Sequence, residues 1–516
     1  MARVLGLGDL SSAPCNLPRP VTILDLPPDV LLIIFRYVSK DIGLPGEWDD
    51  YQLALNITDP SPYPNRDRYL EHPFPESLAS IRPLWRDVMS NISIFWTQLV
   101  IRIGRDPTPL SRIRQYLSWS QKHPLDIYVL RRVDPLLKDQ NEKAQLESVF
   151  DLLLPHVGRW RILRVCSLCS SSLPLPRVQL VGRAHKLEAL ILEFIVDDLV
   201  GSTGTTLHLG DEFETPVLKK ISMGGVHFRK SYVDPFPQLA MPPQLYSLAI
   251  TGYHSQNEAF ALVDLLACLE SCKELASLEL DNLNLNGFDV GPPIIEAPRM
   301  PRWGVSFTDM GGDVIAEYGR LLNHPFIDCV SYTRCGLTTP LDAKLLHARR
   351  VIMEEIHSPA ALFESLAASL SSTVLGEVEF TNCGGLTTDV LRVLTDPTMP
   401  DPEAEADDEG PGGIWICPTL EELMIIECTQ FRSTDVRAFV EARRRAHEGT
   451  GFVDEDDPGF VVTSVNHLYV RGCCELVPED REWLHANVPY FQWDDFRGGY
   501  EWRPLSENLL PLGVGV

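Results

Sequence analysis

The first strong pattern of apolar positions begins at Leu26-Pro27-Pro28-Asp29 and runs on through Val30, Leu31, Ile34, Phe35 and Val38. That i, i+1, i+4, i+5, i+8 stripe predicts an amphipathic helix. Asp25 is placed to cap it, and a proline suits its first turn, where the missing N–H costs nothing. Helical spacing returns at Leu78, Ile81, Trp85 and Val88. Pro83 would break one continuous helix, so the spacing predicts a short helix ending near it and another starting at it. Phe95, Trp96, Leu99, Val100 and Ile101 then lead into a first strand. Residues 41–76 hold six prolines and read as an irregular insertion, and residues 1–20, rich in Gly, Pro and Ser, read as a flexible leader.

Further along, the rhythm changes. Windows of the form apolar-x-x-apolar-x-apolar start at Trp160, Leu187, Leu218, Leu245, Leu275, Met300, Ile327, Ala348, Leu375, Leu420 and Val465. Their separations are 27, 31, 27, 30, 25, 27, 21, 27, 45 and 45 residues. Three windows share a tighter form, at Pro216-Val-Leu218, Pro243-Gln-Leu245 and Pro418-Thr-Leu420. Most of these spacings lie in or near the leucine-rich-repeat range of about 20–29 residues. In such a unit a short strand and the helix or loop after it cannot bury an apolar face alone, so neighbours stack to share one core. Leu262-Val263-Leu265-Leu266-Leu269 and Val436-Phe439-Val440 are the helical candidates between strands.

The predicted fold class is therefore α/β. A small helical module over 21–105 precedes a leucine-rich-repeat-like solenoid over 106–480, built of strand plus helix or loop units. Residues 481–516, with Trp483, Tyr490, Phe491, Trp493, Phe496, Tyr500 and Trp502, form an aromatic cap or tail, or else a partner-binding patch. An irregular α/β domain with scattered strands fits the same apolar content and stays open.

Charge changes the picture for the second part only. The chain carries a net -26, but residues 1–120 hold 12 Lys+Arg against 13 Asp+Glu, which leaves -25 on the remainder. Such a body repels phosphate backbones at long range, which disfavours nucleic acid as a partner and suits basic protein partners, although the charge also serves solubility. Two segments concentrate it: residues 401–413 carry six acids and residues 448–460 carry five, with no bases in either. Both mix acid with Gly and Pro, read as solvated loops, and explain the two 45-residue separations. The run Val30 to Phe35 is far too short to span a bilayer and the N-terminus shows no secretory pattern, so no membrane role is expected and a cytoplasmic or nuclear setting is.

Chemistry-bearing motifs are sparse. The chain has no phosphate-binding loop, nucleophile elbow or zinc-protease motif. Cys166-Ser-Leu-Cys169 has no second pair at zinc spacing, and Cys473-Cys474 reads as packing. No catalytic residue, cofactor or metal ligand is assigned, although an enzyme with a dispersed site stays open.

The N-terminal pattern resembles an F-box, in the F-box-like form expanded in mushroom-forming fungi. The matching residues are Leu26-Pro27-x-Asp29-Val30-Leu31-x-x-Ile34-Phe35, then Leu78-Ala79-Ser80-Ile81-x-x-x-Trp85-Arg86-Asp87-Val88, then Phe95-Trp96. That family commonly continues into leucine-rich repeats. The resemblance implies a non-enzymatic substrate receptor that docks a Skp-type adaptor, and through it a cullin–RING ubiquitin ligase, while the repeat surface holds a client protein. By position, Leu26, Pro27, Val30, Leu31, Ile34 and Trp85 are the adaptor-binding candidates. Glu188, Ile191, Ser247, Ala249, Ser277 and Glu279 are expected to point outward from the strands toward a client. A ligase-independent interaction scaffold is the alternative, suggested by Pro83 and the long insertion.

Overall fold

A computed structural model describes residues 23–41, 74–132, 141–199, 213–235, 240–254, 256, 259–286, 304–322, 326–337, 346–368, 375–395, 415–450 and 462–494. The expected leader, the insertion from residue 42 to 73, Met300, the acidic segments 401–413 and 451–460, and the tail beyond 494 lie outside these residues. The fold is mixed α/β, with twelve α-helices among the described residues and a large sheet. The chain divides into two compact units, Met1–Val100 with Ser111–Leu125, and Ile101–Leu110 with Asp126–Val516.

The first unit is helical. Its helix Pro28–Asp41 starts on a proline, where no backbone donor is needed. Glu76–Ala79 ends before Pro83, and Pro83–Ser90 starts on it. Arg82 between them is extended at φ -149° and ψ 149°, the conformation a following proline imposes. Leu31 and Phe35 face inward one turn apart, and Phe35 meets Trp85 edge-on at 5.3 Å between ring centroids. Trp96 stacks on Tyr116 at 5.0 Å and donates its indole N–H to the Met89 carbonyl at 2.9 Å.

The second unit is organised by a 14-stranded sheet whose strands follow one another in chain order; a separate pair, Gly182–Arg183 with Phe213–Glu214, stands apart. Its twelve strands from Trp160–Cys169 to Tyr490–Asp494 are joined by parallel pairings. The pairing register follows the apolar windows: the residues two places after successive window starts stand opposite one another. Ile162 faces Ala189, Ala189 faces Lys220, Lys220 faces Ser247 and Ser247 faces Ser277. Further on, Cys329 faces Arg350, Arg350 faces Glu377, Glu377 faces Glu422 and Glu422 faces His467. All ten described window-start residues are buried. The exception in register is the window at Met300, which starts two residues too early. Gly304, not residue 302, pairs with Ser277 and Cys329. Within the expected cap, Tyr490–Asp494 forms the last strand of the sheet.

Burial alternates along the strands Glu377–Thr381 and Glu422–Ile426. Val378 and Phe380 are buried while Glu377, Glu379 and Thr381 are half-buried, and Leu423 and Ile425 repeat the pattern in the next strand. Each fully buried aliphatic contributes roughly 1.5–3 kcal/mol. The inward face is covered from one side by helices. Phe307 on the strand Gly304–Thr308, for example, meets Tyr318 of the helix Gly312–Leu321 at 5.4 Å.

A second regularity sits at or just past the strand ends. Asn282, Asp309, Arg334, Glu355, Asn382 and Glu427 all adopt φ between 49° and 56°, and Gly252 and Gly472 occupy the same place. This left-handed conformation costs a non-glycine residue about 1 kcal/mol. It turns the backbone N–H onto the following strand: Arg334 donates to the Glu354 carbonyl, Glu355 to Thr381, and Glu427 to Arg471, at 2.8–2.9 Å. One residue later come Cys335, Cys383, Cys428 and Cys473, whose thiols donate back to the carbonyls of Phe307, Met353, Phe380 and Ile425 on the preceding strand. The Cys428 sulfur also accepts the backbone N–H of Cys383 at 3.2 Å.

These contacts give three stability predictions. Gly312→Ala would place a methyl 2.0 Å from the Gly336 carbonyl oxygen, and should cost about 1–3 kcal/mol in chemical denaturation. Gly376→Ala, where nothing lies within 4 Å, should change stability by less than about 0.5 kcal/mol. Cys428→Ala leaves the buried Cys383 N–H without an acceptor and should lower stability by about 1–3 kcal/mol in the same assay.

Candidate docking surfaces

The helical unit presents an unusual amount of apolar surface. Of the fourteen exposed large hydrophobic residues in the described chain, seven lie in this unit: Ile23, Val30, Ile33, Tyr37, Ile81, Leu84 and Ile94. On the first helix, Val30, Ile33 and Tyr37 recur at i, i+3 and i+7 and so share one face. Ile33 is 65% exposed and Tyr37 75% exposed. The helix is thus apolar on two stripes. Leu31 and Phe35 build the unit's own core, and Val30, Ile33 and Tyr37 face solvent, with Ile34 half-buried beside them.

The six adaptor candidates divide accordingly. Pro27 and Val30 are exposed, and Leu26 and Ile34 are half-buried. Leu31 and Trp85 are buried, at 0% and 4% exposure, so these two belong to the unit's own core and not to its surface. Sequence reasoning missed Ile33 and Tyr37, although the spacing from Val30 was there to find them. They were masked by the stronger stripe one position over.

The outward face of the sheet is polar and partly self-neutralised. Of the residues expected to face out, Glu279 is exposed, and Glu188, Ile191, Ser247 and Ser277 are half-buried. Ala249 is 8% exposed and therefore buried, a correction to its expected role. Arg164 pairs with Glu193 at 2.9 Å, and Arg350 with Glu379 at 2.7 Å. At the strand ends Arg334 bridges Asp309 at 2.7 Å and Glu355 at 3.0 Å. Partly exposed pairs of this kind contribute about 0–1 kcal/mol each. Between them Glu279 and Asp281 have no ion-pair partner among the described residues. Burial, followed by the neighbouring Asp309, raises the Asp281 carboxyl above its ordinary pKa.

Among the described residues, the thiols and the one deeply buried guanidinium serve packing geometry. Cys166 donates to Glu193 at 2.9 Å, and burial, followed by that carboxylate, pushes its thiol up to about 12, so it holds no thiolate near neutrality. Arg443 is fully buried beside a small apolar cavity lined by Leu366, Phe380, Leu391, Ile416 and Phe439. Its guanidinium donates to the carbonyls of Ile416, Cys417 and Pro418 at 2.8–3.2 Å, and burial lowers its pKa to about 10. No group of His, Cys, Asp or Glu suited to holding a metal occurs among the described residues, and no helix among them is long and apolar enough to cross a membrane. No protein-family model matches the sequence, and no curated protein matches it.

Proposed function

We propose that the chain is a substrate receptor of an SCF-type cullin–RING ubiquitin ligase, with an F-box-like helical unit that docks a Skp-type adaptor and a leucine-rich-repeat-like solenoid that holds a client protein. The observation that carries the docking half is the second apolar stripe Val30–Ile33–Tyr37 on a helix whose other stripe already fills its own core. A soluble unit gains nothing from such a stripe unless a partner covers it, and laying an amphipathic helix against an apolar groove is a standard recognition mode. The solenoid reading rests on one strand per unit, parallel pairing in chain order, and a left-handed residue at a recurring place, followed by a cysteine in four of the units. On this reading the protein performs no chemistry itself and needs no cofactor. It works in the cytoplasm or nucleus, away from membranes and nucleic acid, and ubiquitin transfer takes place on other subunits.

Co-purification with the Skp-type adaptor tests this directly. The intact chain should bind, and an Ile33→Asp/Tyr37→Asp double variant should bind at least about 30-fold more weakly, as expected when central interface residues are lost. Both positions face solvent, so the variant should keep its circular dichroism spectrum and melting behaviour. If the intact, folded chain does not bind the adaptor, the ligase reading fails and a ligase-independent scaffold replaces it.

A further inference from the structure

Lysine and arginine are not shared evenly along the chain. Residues 1–344 hold 23 arginines and ten lysines, whereas residues 345–516 hold twelve arginines and no lysine. The fold does not demand this. Lys219 and Lys273 are exposed in the same unit, so its surface accepts an ammonium group. Some arginines beyond residue 344 do need a guanidinium. Arg443 donates from two nitrogens to the carbonyls of Ile416, Cys417 and Pro418. Arg350 reaches Glu379 at 2.7 Å and Glu377 at 3.9 Å. Arg437 pairs with Asp480 at 3.2 Å and lies over the Trp483 ring at 5.3 Å. Planar, forked and stacked contacts of this kind suit arginine alone.

Others make contacts that lysine would make as well. Arg392 meets Asp389 at 3.4 Å, Arg444 meets Glu448 at 2.9 Å and Arg445 meets Glu441, each about one helical turn apart. Arg349 meets Glu377 at 3.5 Å. The side chains of Arg349, Arg392 and Arg445 are 66%, 68% and 71% exposed. In exposed pairs like these a lysine serves as well as an arginine. What separates the two residues there is reactivity. A lysine amine, once deprotonated, is a nucleophile that accepts an acyl group, while a guanidinium stays protonated and does not.

We propose that the arginine-only stretch withholds ubiquitin acceptors, so that transfer on the assembled ligase goes to the bound client and not to its receptor. The proposal rests on the substrate-receptor reading above. Transfer joins the C-terminal carboxyl carbon of ubiquitin to a lysine Nζ. The C–S thioester bond breaks as the new C–N bond forms, and the sulfur leaves as a thiol with the proton that the amine gives up. A receptor held on the ligase is present at high effective concentration in every cycle, so an exposed amine on it competes with the client. Arginine at the same place keeps the charge and the ion pair and removes the competitor.

The test reconstitutes ubiquitin transfer on the full chain with its Skp-type adaptor, the cullin–RING core and a ubiquitin-charged conjugating enzyme. Attachment sites are mapped by mass spectrometry of tryptic peptides. Arg392→Lys/Arg444→Lys/Arg445→Lys keeps all three ion pairs and should match the native chain in melting and in adaptor binding. It should gain ubiquitin at position 392, 444 or 445, and carry more ubiquitin per receptor than the native chain. Arg445→Lys alone, at the most exposed of the three positions, gives the same readout should the triple variant fold poorly. Bare lysines at all three positions on a ligase that assembles overturn the proposal, because a stretch out of reach withholds nothing. An unchanged total of ubiquitin per receptor overturns it as well. If the folded native chain does not bind the adaptor, the substrate-receptor reading falls and this proposal falls with it.

Discussion

An inner strand of a parallel sheet satisfies its backbone only through both neighbours, and in the 14-stranded sheet those neighbours are the sheet's own previous and next strands in chain order. The rest of the second unit depends on that constraint. Each unit must end its strand, turn away, and still leave no buried N–H or carbonyl without a partner. The left-handed residue beyond the strand meets the requirement by sending its N–H to the next strand, as Arg334 does to Glu354 and Glu427 to Arg471. The cysteine after it meets it in the other direction, since Cys428 donates to Phe380 and receives from Cys383. A backbone strain of about 1 kcal/mol per non-glycine turn is offset by a bond whose absence would cost as much or more.

That arrangement explains why the sheet was legible in the sequence and its turns were not. Alternation of apolar and polar positions sets which face a strand residue takes, and a shift by one residue would invert the whole strand. The windows starting at Leu187, Leu218, Leu245 and Leu275 therefore had to stand in register once they paired in parallel. Met300 misled because Met300 and Trp303 imitate the window two residues ahead of the true pair, Val305 and Phe307. The turns carry no comparable signal. Gly252 and Gly472 announce a left-handed site, but Arg334, Glu355 and Glu427 do not, because the sheet imposes their conformation against local preference. The cysteine ladder could have been found, since Cys335, Cys383, Cys428 and Cys473 each stand eight residues after a window start.

The helical unit shows a different limit. Pro83 fixed a helix start because its missing N–H and its effect on Arg82 are local facts. Which apolar stripe of the first helix faces inward is not local: Leu31–Phe35 and Val30–Ile33–Tyr37 are both helically spaced. Only the position of Trp85 against Phe35 decides between them. A helix with two apolar stripes and one core leaves one stripe exposed, and the division of the six candidates between core and surface follows from that choice.

The outward face of the sheet is where the second unit can vary without harming itself. Inward positions are held by the core, and strand-end positions by the turn and its sulfur ladder. The half-buried outward positions remain, and charge is distributed among them unevenly. Arg164 and Arg350 each neutralise a carboxylate on the adjacent strand, and Arg334 neutralises two at the strand ends, so much of the acidity there is spent internally. What makes no direct ion pair among the described residues is local: Glu279 and Asp281 on the face, whose charge Lys220 and Arg334 offset only in part. A net charge of -26 describes the chain as a whole, but a partner approaching within a Debye length of about 8–10 Å meets these few groups and not the sum. Attraction of a cationic group at long range and its discrimination at contact are therefore separate effects, and in this fold they arise from different residues.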